Sequence, residues 1–360
     1  MGKFNQSVLY LFLALMGVAC GDSGGDSNNV ANGGGGAGHS PPTVTDDPSK
    51  VNRGLSGTIY HSPGSVLYSI SLETPVQEAL IAGAGSIDGF NVSYDGSLIA
   101  FYNRAAATGK FENHVRTTSG ESLASFDHAE YQVSPPYISP NNQYVAFLTL
   151  PERSEVEGFI RIYTLEGVLV RTIEDNLAEG LNAFAITWTR DGALLISSRQ
   201  KGLYIVDDPL ASEPRLIKPT PNETMLTPRI SPDASKIAFS AASNGQLHVW
   251  DVGTEDFRQI TNHSVPDGYS LFIEGLDWSP DSRYILANVH HTKSESCLGI
   301  STVIIDQAAD KAILPDRFTF TSSEYTNPDI FEVEYYPPGR GANGHTIQGL
   351  CSRGDLDWRE

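Results

Sequence analysis

One motif recurs along most of the chain: an apolar strand, a polar turn, and a second apolar strand. It appears as Asn91-Val-Ser-Tyr-Asp-Gly-Ser-Leu-Ile-Ala-Phe101, as Tyr137-Ile-Ser-Pro-Asn-Asn-Gln-Tyr-Val-Ala-Phe147 and as Thr187-Trp-Thr-Arg-Asp-Gly-Ala-Leu-Leu-Ile196. It returns in Arg229-Ile-Ser-Pro-Asp-Ala-Ser-Lys-Ile-Ala-Phe239 and Asp277-Trp-Ser-Pro-Asp-Ser-Arg-Tyr-Ile-Leu286. With Val92, Ile138, Trp188, Ile230 and Trp278 as equivalent positions, the steps are 46, 50, 42 and 48 residues. A period of this size marks the blades of a propeller or the turns of a solenoid. In the turns, proline presets φ, Asp or Asn bonds back to the backbone, and Gly takes the left-handed position. The aspartates at that point, Asp95, Asp191, Asp233 and Asp281, recur with the turn. They read as structural, since a catalytic group need occur only once.

The strand after each turn is apolar on successive residues, as in Val145-Ala-Phe147 and Ile237-Ala-Phe239. Such a run suits a strand covered on both faces. Each repeat then supplies a third strand, such as Ile160–Leu165, Leu203–Asp207, Leu247–Val252 and Thr302–Asp306, with a short version at His114–Thr117. Fourth strands follow at Leu169–Ile173, Arg215–Lys218 and Phe257–Thr261. Four strands per repeat make a propeller blade. Residues 57–83 read as the later strands of a blade that lacks its opening strand, and Asp355-Leu-Asp-Trp358 repeats Gly275-Leu-Asp-Trp278. The expected fold is therefore an all-β, six-bladed β-propeller with the C-terminal strand closing the first blade. Sharing one sheet between the chain ends protects edges that would otherwise be exposed. The 80 residues from Trp278 to Trp358 exceed the other steps, mainly through 312–350.

The Ser-Pro-Asp turns, the Ile-Ala-Phe strands and the Val-Trp-Asp third strands resemble the propeller repeats of the TolB family over roughly residues 54–360. The resemblance implies a propeller at the bacterial cell envelope. TolB also carries an N-terminal α/β domain and works with peptidoglycan-associated lipoprotein; this chain has a different segment in that place.

That segment divides in two. Lys3, then the apolar run Val8 to Val18, then Gly17-Val18-Ala19-Cys20 fit the three regions of a signal peptide. Eleven apolar residues are too few to cross a bilayer comfortably as a helix. The small residues before Cys20 resemble the lipobox of bacterial lipoproteins, although Gly17 stands where Leu is usual. The resemblance implies cleavage before Cys20, a lipidated Cys20 and membrane attachment through the lipid. Gly21, where Asp would retain an enterobacterial lipoprotein at the inner membrane, points to the outer membrane. The expected organisation is a signal peptide over 1–19, a lipidated Cys and flexible Gly/Ser/Asn-rich tether over 20–53, and the propeller over 54–360. Residues 21 to 53 hold almost no large apolar side chains, and such a tether reaches on the order of 30 Å.

Acidic residues number 43 against 24 basic ones, for a formal charge of −19. Such a surface repels phosphate backbones, so no nucleic-acid partner is expected. Several short matches are coincidental. Cys20-Gly-Asp-Ser-Gly-Gly25 spells a serine-protease nucleophile signature, but only a signal peptide precedes it and a tether cannot hold an oxyanion hole. Gly339–Thr346 has phosphate-loop spacing with His345 in place of lysine and no helix signal after it. Arg353-Gly-Asp355 is a common turn tripeptide.

Cys297 and Cys351 remain. In an oxidising compartment a bridge is favoured over two free thiols. It would brace the blade closure, and is expected as a disulfide. The rival, a metal site built from His290, His291, His345 and these cysteines, is disfavoured because adjacent residues of a strand point to opposite faces. Phe331, Tyr335, Tyr336 and Trp358 either line a binding face or pack the long insertion, and packing is favoured. No catalytic residue, metal or cofactor is called for. The functional expectation is a monomeric, non-catalytic scaffold that binds an envelope protein or a glycan. The alternative is a propeller hydrolase or lyase acting on polysaccharide. An Arg, His and carboxylate cluster at one channel mouth would favour the enzyme.

Overall fold

The structure is a computed structural model. It describes residues 55–82, 86–104, 110–128, 131–132, 134–150, 158–174, 181, 183–199, 201–220, 224–262, 271–291, 300–309, 330–332, 334–335, 348–349 and 355–360. Blade 1 starts with β1 (Thr58–His61), β2 (Leu67–Ser71) and β3 (Gln77–Ile81). Blade 2 holds β4 (Gly89–Val92), β5 (Leu98–Arg104), β6 (Phe111–Thr117) and β7 (Ser122–His128). Blade 3 holds β8 (Tyr131–Gln132), β9 (Tyr137–Ile138), β10 (Tyr144–Leu150), β11 (Phe159–Thr164) and β12 (Leu169–Ile173). Blade 4 is β13 (Ala183–Trp188), β14 (Leu194–Ser198), β15 (Gly202–Val206) and β16 (Arg215–Pro219). Blade 5 is β17 (Met225–Ile230), β18 (Lys236–Ala241), β19 (Leu247–Asp251) and β20 (Phe257–Gln259). Blade 6 is β21 (Leu271–Trp278), β22 (Tyr284–His291), β23 (Ile300–Asp306) and β24 (Ile330–Glu332). A small pair, β25 (Glu334–Tyr335) with β26 (Gln348–Gly349), follows. The last strand, β27 (Leu356–Arg359), pairs antiparallel with β1, Ile59 opposite Trp358, so blade 1 has the order β27-β1-β2-β3. The molecule is an all-β, six-bladed propeller closed by its C-terminal strand.

Blade 3 departs from the other five. Two short pieces, β8 and β9, both pair with β10 in place of one continuous inner strand. Pro135 and Pro136 lie between them, and proline cannot donate to a ladder. Strand β6 is also longer than its apolar stretch suggests, because Glu112 and Asn113 take part in the pairing.

The apolar runs of the second strands are explained by packing. Successive side chains of a strand point to opposite faces, and here each face meets a different blade. On β5, Ile99 and Phe101 join the core with blade 1, while Leu98 and Ala100 join the core with blade 3. On β10, Val145 and Phe147 face blade 2, while Ala146 and Leu148 face blade 4. On β18, Ile237 and Phe239 pack toward blade 4 and Ala238 toward blade 6. The cluster of Ile59, Ile70, Leu72, Leu286, Ile304, Leu356 and Trp358 joins blade 6 to blade 1 and completes the circle. Each buried Val, Leu, Ile or Phe among these contributes roughly 1.5–3 kcal/mol, the alanines less.

Closure also requires Gly57. Its φ is +101°, and a Cβ there would stand 2.5 Å from the Arg359 carbonyl and 2.7 Å from the Trp358 indole nitrogen. The strand that seals blade 1 leaves no room for a side chain at the chain's entry.

Candidate functional site

The polar turns carry one repeated hydrogen-bond pattern. The hydroxyls of Ser93, Thr189, Ser231 and Ser279 donate to Asp95, Asp191, Asp233 and Asp281 at 2.6, 2.5, 2.6 and 2.6 Å. Ser139 donates likewise to Asn141 at 2.7 Å. The carboxylates of Asp95, Asp233 and Asp281 then accept the backbone N–H of Ser97, Ser235 and Arg283. The left-handed residue of each turn is Gly96, Asn142, Gly192, Ala234 or Ser282. Asp95 is held down to about 2: the modest burial would raise it, but hydrogen bonds from Ser93, Ser97 and Asn142 outweigh that. All four aspartates are exposed and engaged in their own turns. Neighbouring turns touch as well, since Asn142 donates to Asp95 at 2.9 Å and Asp233 N–H to the Ser282 hydroxyl at 3.1 Å.

The side chains that converge are those one position before Val92, Ile138, Trp188, Ile230, Trp278 and Trp358. Blades 1 to 6 supply Asp357, Asn91, Tyr137, Thr187, Arg229 and Asp277, which line one pocket on the axis. Its empty space is about 800 Å³, solvent at the mouth included. Tyr94, Arg190, Pro232 and Pro280, from the turns, and Glu360, directly after β27, line it further.

Half of this ring latches blades together. Asp277 accepts the Trp358 N–H at 2.7 Å, Asp357 accepts the Val92 N–H at 2.8 Å, and Asn91 accepts the Ile138 N–H at 2.9 Å. Each innermost strand from blade 6 to blade 2 thus holds the backbone of the next. Asp355 adds a contact to the Phe90 N–H at 3.3 Å. Arg359 lies between the two aspartates, 2.6 Å from Asp277 and 2.7 Å from Asp357. It also donates to the carbonyls of Val92, Ser93 and Trp358. Burial pushes the Asp357 carboxyl up to about 7; Arg359 opposes the rise and the negative charge of Asp277 adds to it. Burial alone would lower Arg359, but the charges of Asp277 and Asp357 raise it overall.

The other half is made of donors. Arg229 donates to the Tyr137 hydroxyl at 2.9 Å and lies 5.0 Å from that ring's centroid. Burial raises Tyr137 to about 12. Two tryptophans join blades by their indole N–H: Trp188 to the Tyr137 carbonyl at 2.8 Å, and Trp278 to the Arg229 carbonyl at 2.9 Å. Tyr94 reaches the Trp188 carbonyl at 2.9 Å.

Of the residues singled out in the sequence, Asp95, Asp191, Asp233 and Asp281 occupy the turns around one mouth, outside the axial ring. Trp358 is 2% exposed and packs in the core between blades 6 and 1. Cys20, Cys297, Cys351 and His345 lie outside the described residues, as do the side chains of His290, His291, Phe331, Tyr335 and Tyr336. Among the described residues no group of three His, Cys, Asp or Glu is placed to hold a metal ion. Sequence reasoning missed the axial ring. Its signal was present in the aligned Leu276-Asp-Trp278 and Leu356-Asp-Trp358, where an acid precedes the same tryptophan.

No protein-family model matches the chain, and no curated protein does. Among solved structures it is similar to TolB from Acinetobacter baumannii, with 16% identity over 66% of this chain and a TM-score of 0.46; the match spans 61% of that protein's length. It is also similar to a protein described as TolB from Agrobacterium tumefaciens, with 15% identity, 65% and 82% coverage and a TM-score of 0.47. The propeller domain of Cps50 (Swd1) from Myceliophteria thermophila shows 13% identity, 82% and 97% coverage and a TM-score of 0.49.

Proposed function

We propose that the chain is a cell-envelope lipoprotein whose propeller is a non-catalytic scaffold for an envelope protein or a glycan. In this reading residues 1–19 are removed, Cys20 carries the lipid, residues 20–53 are the tether, and the propeller from residue 54 works as a monomer at the outer membrane. A disulfide between Cys297 and Cys351 braces the blade closure and its long insertion. The address rests on Lys3, the apolar run to Val18 and the small residues before Cys20.

The observation that carries the scaffold reading is the state of the axial carboxylates. Asp277 and Asp357 are both occupied by backbone N–H groups of the next blade and by Arg359. A carboxylate tied into fold closure is poorly placed to exchange protons with a substrate. The alternative, cleavage of a polysaccharide, draws on the raised Asp357 beside Arg229 and Tyr137 in one pocket. Cross-linking in intact envelopes followed by affinity capture of the full chain separates the two. A discrete protein or glycan recovered at stoichiometric yield supports the scaffold. Depolymerisation of envelope polysaccharide by the purified chain, lost in Asp357→Asn, would replace that reading with the enzyme.

A further inference from the structure

We infer that the donor half of the axial ring is a carboxylate-binding site, with Arg229 and Arg190 as its cations. The inference goes beyond the scaffold reading and does not depend on it.

Arg229 is 8% exposed and lines the axial pocket. Its guanidinium donates to two neutral oxygens, the Pro228 carbonyl at 3.1 Å and the Tyr137 hydroxyl at 2.9 Å. Among the described residues it forms no ion pair. Burial alone would lower it, but Tyr137 and the negative charges of Asp277, Asp355 and Asp357 raise it overall, so its charge is balanced at longer range while its N–H groups meet only neutral oxygens among the described residues. The contrast with Arg359, seated between two aspartates in the same pocket, is internal to the protein.

The backbone is distorted where it delivers Arg229. Thr227 is β-branched yet has a φ of +46°, and the register of β17 on β18 shifts between Leu226 and Arg229. Pro228 removes a ladder N–H at the same point. Bulges of this kind re-aim a side chain, and strain of this kind persists where the surrounding structure imposes it.

Blade 4 contributes the second cation. Arg190 is exposed at the pocket mouth, and its one hydrogen bond among the described residues is a long 3.5 Å one to the Pro232 carbonyl. Thr187, on the same blade, lines the wall between Tyr137 and Arg229. Tyr137 stays protonated at ordinary pH, so its hydroxyl can donate while it accepts from Arg229. Two guanidinium groups and two hydroxyls therefore border one space, in a chain whose formal charge is −19.

The ligand class follows from the rest of the pocket. Asp277, Asp357 and Glu360 line it too, and Asp355 adds negative charge near Arg229. A dianion such as phosphate meets these charges twice over. A carboxylate is planar, carries one charge and matches the guanidinium fork. It could arrive on a small organic acid or on an acidic side chain of a polypeptide.

The test titrates the full chain with acetate, with an N-acetylated Glu-rich pentapeptide and with inorganic phosphate, followed by calorimetry and by the Arg Nε–Hε resonances. Saturable binding of acetate or the pentapeptide is expected, the tighter of the two identifying the source of the carboxylate. Arg190→Gln and Arg229→Gln should each weaken it about tenfold, the loss of one charge-assisted contact. Arg190 is exposed, so that variant keeps the test open even if Arg229→Gln unfolds. No saturable carboxylate binding would overturn the inference, as would binding unchanged in Arg190→Gln, or phosphate binding as tightly as carboxylate.

Discussion

Arg359 sets its guanidinium nitrogens against acceptors from three blades: Asp277 of blade 6, Asp357 and Trp358 of blade 1, and Val92 and Ser93 of blade 2. Arg359→Ala would leave two buried carboxylates facing each other without their cation. The expected loss is about 3–5 kcal/mol, read from urea unfolding midpoints. A smaller effect of opposite sign is expected at Ala234, which sits at φ +59° in its turn. An L-residue there costs about 1–2 kcal/mol, while glycine costs about 0.4–1 kcal/mol in chain entropy, so Ala234→Gly should stabilise by roughly 0.5–1 kcal/mol. His61 gives a pH dependence. It is buried, its Nε2 faces the Gln77 amide nitrogen at 3.0 Å, and burial lowers it to about 4. Its folded value lies below its unfolded one. Its stabilising contribution is therefore present above pH 6.5 and lost as pH falls toward 4. Between pH 7 and pH 5 the loss should be roughly 2 kcal/mol relative to His61→Gln, measured by the same unfolding curves.

At the scale of the element, the decisive strand is β27. It is four residues long, yet it supplies the inner strand of blade 1, two core side chains and the aspartate that latches blade 2. Deleting residues 355–360 should expose the edge of β1, break the core between blades 6 and 1, and strongly lower the melting temperature measured by circular dichroism relative to the full chain. An unchanged melting temperature would show that blade 1 stands without its fourth strand. The two-piece inner strand of blade 3 makes the complementary point. Pro135 and Pro136 interrupt the ladder, and Asn91 of the preceding blade takes up the Ile138 N–H that the short β9 presents.

At the scale of the whole molecule, the ring is closed by six interfaces of one kind, each made of side chains from two adjacent blades. The proposed N-terminal address precedes the first described strand, Thr58–His61, in the chain. Cys20→Ser should shift the chain from the membrane fraction to the soluble fraction of the envelope without moving its melting temperature, because the six blades of the described residues are built from residue 58 onward. A variant still wholly in membranes would refute lipidation at Cys20.

The blade count, the closure and the turns are all legible in the amino-acid sequence. They depend on local physics: proline, Asp and left-handed positions recur at fixed offsets, and apolar runs report strands covered on both faces. The axial pocket is not legible in that way. Its members are separated by up to 269 positions, from Asn91 to Glu360, and each looks ordinary in its own repeat. Thr187, Arg229 and Asp277 share a repeat position but differ in chemistry, and only the circular arrangement turns that difference into an acceptor half and a donor half. Repetition written along a chain determines a blade; what the blades enclose is decided where their unlike residues meet on the axis.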